Sequence, residues 1–243
     1  MEENKKMNID FANENIVVES IKTQLTPVKI KKNIDLKEKC YKALKRMTDI
    51  GGAIIGSIFV FPLMIGIGIA NFLVNDKGPI FYTQNRIGKN GKEFKMYKFR
   101  SMVVGADEIL EEYLENNAEA REEYRINKKL KNDPRITKVG NFIRKTSLDE
   151  FPQFINVLKG EMSLVGPRPY LPKETEDMGK YLDYITPVKP GITGFWQISG
   201  RNELTFQERL ELDKEYFKRK SVTMDLKILF KTVLKVFNKE GAL

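Results

Sequence analysis

The chain of 243 residues contains no histidine and a single cysteine, Cys40. Without histidine there is no Ser-His or Cys-His nucleophile, so acid–base work falls to carboxylates, lysine or tyrosine. One cysteine permits neither an intrachain disulfide nor a cysteine-based zinc site, which fits a reducing compartment. No glycine-rich phosphate loop of the P-loop kind occurs, which counts against a nucleoside-triphosphate enzyme. No internal repeat is evident. Formal charge is missing altogether over the 25 residues from Ile50 to Val74.

Elsewhere charge is plentiful, with 42 Lys+Arg against 33 Asp+Glu and a net charge of +9. That balance suits an anionic membrane surface, a nucleotide substrate or nucleic acid, and does not choose among them. Hydrophobic residues make up 41%, enough to furnish the core of one compact domain. Residues 1–32 are polar and aperiodic and read as a disordered or weakly helical tail; they lack the apolar stretch of a signal peptide, which predicts no secretion. From Asn33 to Thr48, Leu36, Cys40, Ala43, Leu44 and Met47 recur at helical spacing opposite Lys37, Lys39, Lys42, Lys45 and Arg46, the pattern of a basic amphipathic helix at lipid headgroups.

The apolar run Ile50–Val74 would make about 37 Å of helix, against a hydrocarbon core of about 30 Å. Pro62 interrupts it, removing one N–H and clashing with the preceding turn, and predicts a kink into two arms of roughly 18 Å each. Basic residues flank the run on both sides, which argues against a simple crossing. On the residues alone a kinked span and a re-entrant hairpin both stay open.

Beyond residue 76, segments 79–85 and 94–99 alternate in polarity around Gly88-Lys-Asn-Gly91, a β-hairpin signal. Met96, Lys98 and Arg100 share one face of the second strand, as a solvated face or as site cations. Ala106–Glu123 carries eight carboxylates that helical spacing scatters over a solvated surface instead of converging on a metal. Ser147-x-x-Glu150 followed by Phe151, Phe154, Ile155 and Leu158 predicts a capping box opening a short helix, with Asp149 in its first turn. There the helix end favours an ionised carboxylate. Asp149 and Glu150 either merely complement that helix start or form a reactive pair. Arg144 just upstream and Arg168 in the rigid turn Gly166-Pro167-Arg168-Pro169 are suited to phosphate. Trp196, the only tryptophan, is a platform for a base or sugar or a core anchor. Thr205–Tyr216 and Met224–Phe237 read as two amphipathic helices, the last patterned to dock on a bilayer.

Several motifs in order resemble the bacterial sugar transferases, monotopic phosphoglycosyl transferases that act on polyprenyl phosphate. They are Lys45-Arg46 with Asp49, Gly78-Pro-Ile-Phe81, Gln84-Asn-Arg86, Gly88, Tyr97-Lys-Phe-Arg100-Ser-Met102, the stretch Arg144–Pro169, Lys189-Pro-Gly-Ile-Thr-Gly-Phe-Trp-Gln197 and Gly200-Arg-Asn202. The resemblance runs from about Lys42 onward; the family's Ser-Pro at the membrane break is here Phe61-Pro62. It implies an α+β, mostly helical, membrane-associated fold: a tail (1–32), an amphipathic helix with a Pro-kinked re-entrant hairpin (33–76), and one catalytic domain (77–243) with a small β-hairpin and interfacial helices.

The resemblance further implies transfer of a hexose 1-phosphate from a UDP-sugar to undecaprenyl phosphate with release of UMP, through a phosphosugar on Asp149. Mg²⁺ is the implied cofactor, with Glu150 and Asp149 as its protein ligands. Arg100, Arg144 and Arg168 become phosphate clamps, and Lys98, Trp196 and Arg201 further substrate contacts. Membrane lipid is a partner, nucleic acid is not, and the place is the cytoplasmic face of the bacterial plasma membrane, at the first membrane step of exopolysaccharide, capsule or O-antigen synthesis. Galactose and glucose are the candidate hexoses; the oligomeric state is left open. Two other classes compete: a non-catalytic membrane-tethered protein binding anionic lipid or nucleic acid, and a glycosyltransferase that releases UDP.

Overall fold

The computed structural model describes residues 36–238; the tail read at 1–32 and the start of the amphipathic stretch lie outside them. The amphipathic helix and the first arm of the apolar run form one helix, α1 (Leu36–Ile58), because nothing between Thr48 and Ile50 breaks it. Gly52 and Gly56 serve close packing: a Cβ on Gly52 would stand 2.5 Å from the Leu164 side chain, and one on Gly56 2.4 Å from the Phe154 ring.

The helix is interrupted at Phe59 (φ −81°, ψ −16°), next to Ile58, whose carbonyl the Pro62 ring crowds from four residues on. Helix α2 (Val60–Leu73) follows. Both arms lean on the same body. Ahead of the apolar run, Lys45 reaches the Val165 carbonyl at 2.8 Å, Arg46 the Val157 carbonyl at 2.7 Å, and Asp49 the Ser163 hydroxyl at 2.8 Å. Behind it, Asp76 meets Arg100 at 2.8 Å. Ile54, Ile55, Ile58, Phe61, Ile65 and Ile69 are left exposed on the outer side.

Strands β1 (Phe81–Ile87) and β2 (Glu93–Phe99) pair antiparallel, Phe81 opposite Phe99 and Ile87 opposite Glu93. The predicted turn is present, with Asn90 at φ +59° and Gly91 at φ +74°. Met96 and Arg100 are buried, so the face carrying Lys98 looks into the protein and not into solvent. The acidic stretch folds as two helices, α3 (Ala106–Asn116) and α4 (Ala118–Asn127), broken at Asn117, which caps the second through the Ala120 N–H. They enclose a small cluster of Leu110, Ala120 and Leu130 with the carboxylates outward, as read.

Helix α5 (Lys138–Lys145) starts at a Thr137 cap and leads to the Asp149 turn; α6 (Gln153–Lys159) follows and stops at Gly160, φ +82°. Two three-residue strands, β3 (Ser163–Val165) and β4 (Gly191–Thr193), pair parallel. Helix α7 (Phe195–Ser199) carries Trp196; α8 (Phe206–Arg219) opens with a Thr205–Glu208 capping box, and α9 (Val222–Asn238) ends the described chain. The central core joins Ala53 of α1, Met96 of β2, Val157 of α6, Leu164 and Val165 of β3, Tyr216 of α8 and Ile228 of α9. Helix α9 presents Leu226, Phe230, Val233 and Leu234 outward, as its pattern predicts.

Candidate active site

The capping box does not form. Ser147 sits at φ +57° and its side chain caps nothing; Leu148–Glu150 make a single 3-10 turn, and the α-helix begins only at Gln153. Pro152 explains the difference, since it has no N–H to bond back to Leu148 and so forbids a continuous helix from Ser147. Asp149 therefore owes its position to the turn, where it is 8% exposed.

Lys98 comes from β2 to both members of the pair, its Nζ 3.6 Å from Asp149 Oδ2 and 3.2 Å from Glu150 Oε1. Burial pushes the Asp149 carboxyl above the usual carboxylate range, and the Glu150 charge adds to this; Lys98 first, then Arg144, pull it back. A buried carboxylate with a raised proton affinity is a better nucleophile than a solvated one, and the adjacent cations keep it ionisable. Arg201 joins the same turn, its Nη2 donating to Ser147 Oγ at 2.7 Å.

Arg168 stands on a turn pinned from several sides. The Gly191 N–H donates to the Pro167 carbonyl at 2.8 Å, the Gly166 N–H to the Thr193 carbonyl at 2.9 Å, and the Arg168 N–H to Asp213 at 3.0 Å. Gly166 is required here because a Cβ would stand 2.4 Å from the Lys189 carbonyl oxygen. The Arg168 guanidinium lies 3.8 Å from Glu174 and over the rings of Tyr170 and Trp196, at 5.8 and 6.0 Å. Trp196 is buried among these cations, which makes it a support for Arg168 more than an open platform.

Arg100 is elsewhere. Its Nε donates to the Pro79 carbonyl at 2.6 Å, Nη1 to the Met102 carbonyl at 2.9 Å and Nη2 to Asp76 at 2.8 Å. Every nitrogen of the guanidinium has a protein partner, so it ties the exit of α2 to β2 and presents nothing to a phosphate. The structure thus brings Asp149, Glu150, Lys98, Arg144 and Arg201 together and sets Arg168 with Trp196; it leaves Arg100 as a strut.

Sequence reasoning missed four titratable groups beside Arg168. Arg86 donates through Nη1 to the Pro169 carbonyl at 2.9 Å, and burial with the neighbouring Arg168 charge lowers its pKa to about 10. Arg209 is lowered to about 10 by the same two causes. Lys129 is lowered to about 8 by burial, then Arg209, Arg168 and Arg144. Asp213 accepts from Tyr170 Oη at 2.8 Å and is pushed up to about 7 by burial. A signal did exist for two of them: Arg209 and Asp213 fall on the same side of α8 as Phe206, Leu210 and Tyr216, charges on an apolar stripe.

Among the described residues no three His, Cys, Asp or Glu side chains converge as a metal cage. The Asp149–Glu150 pair nonetheless matches what Mg²⁺ takes, one or two carboxylates with the remaining positions left to water and substrate phosphate.

Residues 40–239 match the sequence profile of the bacterial sugar transferases. The undecaprenyl-phosphate galactose phosphotransferase of Salmonella typhimurium is 48% identical over 208 residues, covering 86% of this chain and 43% of that protein. The UDP-glucose:undecaprenyl-phosphate glucose-1-phosphate transferase of Escherichia coli K12 is 42% identical over 209 residues, 83% of this chain and 42% of that protein. The exopolysaccharide production protein ExoY of Rhizobium meliloti is 43% identical over 198 residues, 82% of this chain and 87% of that protein. The chain spans less than half the length of the first two relatives.

Proposed function

Because the chain belongs to the bacterial sugar transferase family, we propose that it transfers a hexose 1-phosphate from a UDP-sugar to undecaprenyl phosphate. An Asp149 oxygen attacks the β-phosphorus, a P–O bond forms, and the bond to the bridging oxygen breaks so that UMP leaves with that oxygen. A terminal oxygen of undecaprenyl phosphate then attacks the same phosphorus, releasing the Asp149 carboxylate and giving undecaprenyl-diphospho-hexose. Galactose and glucose, the sugars in the relatives' names, are the first donors to try.

The observation that carries this reading is the buried Asp149 held 3.6 Å from Lys98, beside Glu150 and within the field of Arg144. Lys98 and Arg144 offset charge on the phosphoryl group under attack, and Arg168 holds a neighbouring phosphate. Glu150, with Asp149, would hold Mg²⁺, which when bound neutralises diphosphate charge. Arg201 fixes the nucleophile turn through Ser147.

The apolar run is read as a re-entrant hairpin entered and left from the cytoplasmic face. Its support is that Asp49 and Asp76, on either side of the run, both bind the one catalytic body, whereas a span of about 30 Å would part them. The exposed apolar faces of α1, α2 and α9 then meet lipid. The test is turnover by the full chain in vesicles with undecaprenyl phosphate, Mg²⁺ and a panel of UDP-sugars. UMP release and its loss on Asp149→Asn are expected, by about 10³-fold or more. Release of UDP, or full turnover by Asp149→Asn, overturns the reading.

A further inference from the structure

Trp196 is buried, with Arg168 and Arg209 at 6.0 and 5.8 Å from its ring, so it offers a substrate little surface. An exposed aromatic stands nearer the nucleophile: Tyr82 of β1. Tyr82 pairs with Lys98 across the hairpin, and directly opposed residues of an antiparallel pair share a face of the sheet. Lys98 is the side chain that reaches Asp149 and Glu150. Tyr82 therefore lies on the side that carries the nucleophile, yet it is 41% exposed. Phe81 and Phe99 stack on the opposite side with ring centroids 5.3 Å apart, which anchors this register.

The face of Tyr82 continues through Gln84 to Arg86, whose Nη2 donates to Gln84 at 2.5 Å and whose Nη1 donates to the Pro169 carbonyl beside Arg168. From Arg86 back to Tyr82 the strand covers about 13 Å, with the Arg168 turn at one end and Lys98 at the other. That order orients the donor. In a UDP-hexose the attacked phosphorus lies between the other phosphate and the sugar. With Lys98 and Asp149 at the attacked phosphorus and Arg168 at the other phosphate, the nucleoside falls on the Arg168 side and the hexose on the side of Tyr82. The charged groups facing Tyr82 are Asp107, from the first turn of α3, and Arg86 and Arg135. Arg135 is already engaged, giving Nε and Nη2 to Asp133 at 2.8 and 2.7 Å; Asp107 is exposed. A pyranose presents C–H groups to an aromatic ring and hydroxyl donors to a carboxylate.

We propose that Tyr82 and Asp107 form the hexose subsite, the ring against the pyranose and the carboxylate accepting from its hydroxyls, and that Tyr82 discriminates among donor sugars. The orientation rests on the transfer reaction proposed above.

Turnover of the full chain in vesicles, read as UMP release, gives kcat/KM for UDP-glucose, UDP-galactose and UDP-N-acetylglucosamine. UMP itself serves as product inhibitor, because it carries the nucleoside and its phosphate without the sugar. Tyr82→Ala should lower kcat/KM for the best donor by about 10- to 100-fold and cut its margin over the second donor by about tenfold, the range of a single pocket contact. Inhibition by UMP and KM for undecaprenyl phosphate should hold within about twofold, since neither ligand meets the ring. Tyr82→Phe, which loses only the hydroxyl, should keep most of the rate, and Asp107→Asn should weaken the donor and spare UMP. If Tyr82→Ala melts early, Tyr82→Leu, which keeps bulk without a ring, decides. UMP inhibition that weakens in step with the donor puts Tyr82 at the nucleotide end and overturns the subsite. A raised KM for undecaprenyl phosphate alone puts the ring against lipid and overturns it too, and an unchanged margin among donors overturns the discriminating role. Titration of the Asp149→Asn protein repeats the comparison as affinities. A wild type that releases UDP then overturns only the transfer reaction, while the subsite stands if Tyr82→Ala weakens UDP-hexose and spares UMP, and falls if it does not.

Discussion

Replacing Lys98 with methionine removes the cation nearest Asp149 while keeping the length of the side chain. At 3.6 Å, in a surrounding of effective dielectric about 20, two opposite charges attract by roughly 5 kcal/mol. That is an upper bound, since the Lys98 side chain is 24% exposed and also shared with Glu150. An opposite charge at this range lowers a carboxyl pKa by about 1–3 units, equal to about 1.4–4 kcal/mol, and the two figures agree. Burial already holds Asp149 above the usual carboxylate range, and Lys98 acts against it. Its loss therefore moves the pKa further up, and the ionised fraction below that pKa falls about tenfold per unit. The acid limb of kcat/KM for UMP release should shift by about 1–3 pH units to higher pH. Lys98→Arg, which keeps the charge, should return most of the shift. An acid limb that stays in place in Lys98→Met while only the plateau drops would refute this account, leaving Lys98 as a contact to substrate alone.

Arg100→Met strips the partner from Asp76 and leaves two backbone carbonyls unmet, so it should lower stability by about 3–5 kcal/mol, read by denaturant unfolding in detergent, with donor affinity of the folded fraction unchanged. Unchanged stability with weakened UDP-sugar binding would return Arg100 to the site. Asp213, with its folded pKa raised to about 7, contributes stability that is complete below its unfolded pKa of about 3.9 and is lost as pH rises through about 7. Asp213→Asn removes that linkage, so the fall in melting temperature between pH 4 and 7 should flatten; an unaltered slope would show that Asp213 does not titrate there.

The elements visible in the sequence were those with local causes. Asn90-Gly91 between alternating runs specified the β-hairpin, and Pro62 specified a break in the apolar helix. The spacing of Leu226, Phe230 and Val233 described a helix with an outward apolar side. The capping box at Ser147 was misread because Ser and Glu at the right spacing outweighed Pro152, whose missing N–H is the stronger constraint. Strands β3 and β4, three residues each, are too short to show a period of two, and their parallel pairing joins residues far apart in sequence. At the site, the composition around Asp149 pointed to Arg144 and Arg168 because they are near in sequence. Arg86 and Arg209 arrive from β1 and α8, and only folding sets them beside Arg168. For Arg100 and Lys98 the alternation of β2 showed that they share a side, but not which of them Asp76 would claim.

Gly52 and Gly56 bear on how this protein can be handled and altered. The first arm of the apolar run is set directly on Leu164 and Phe154, with no space for even a methyl group, and its Asp49 satisfies the Leu164 N–H. The apolar piece is thus a wall of the body that carries Asp149, not a leash. Trimming it away to obtain a soluble fragment would lay open the central core, and splicing in an unrelated hydrophobic helix would collide with it. A change in this segment meets strand β3 first, and through it the turn that bears Arg168.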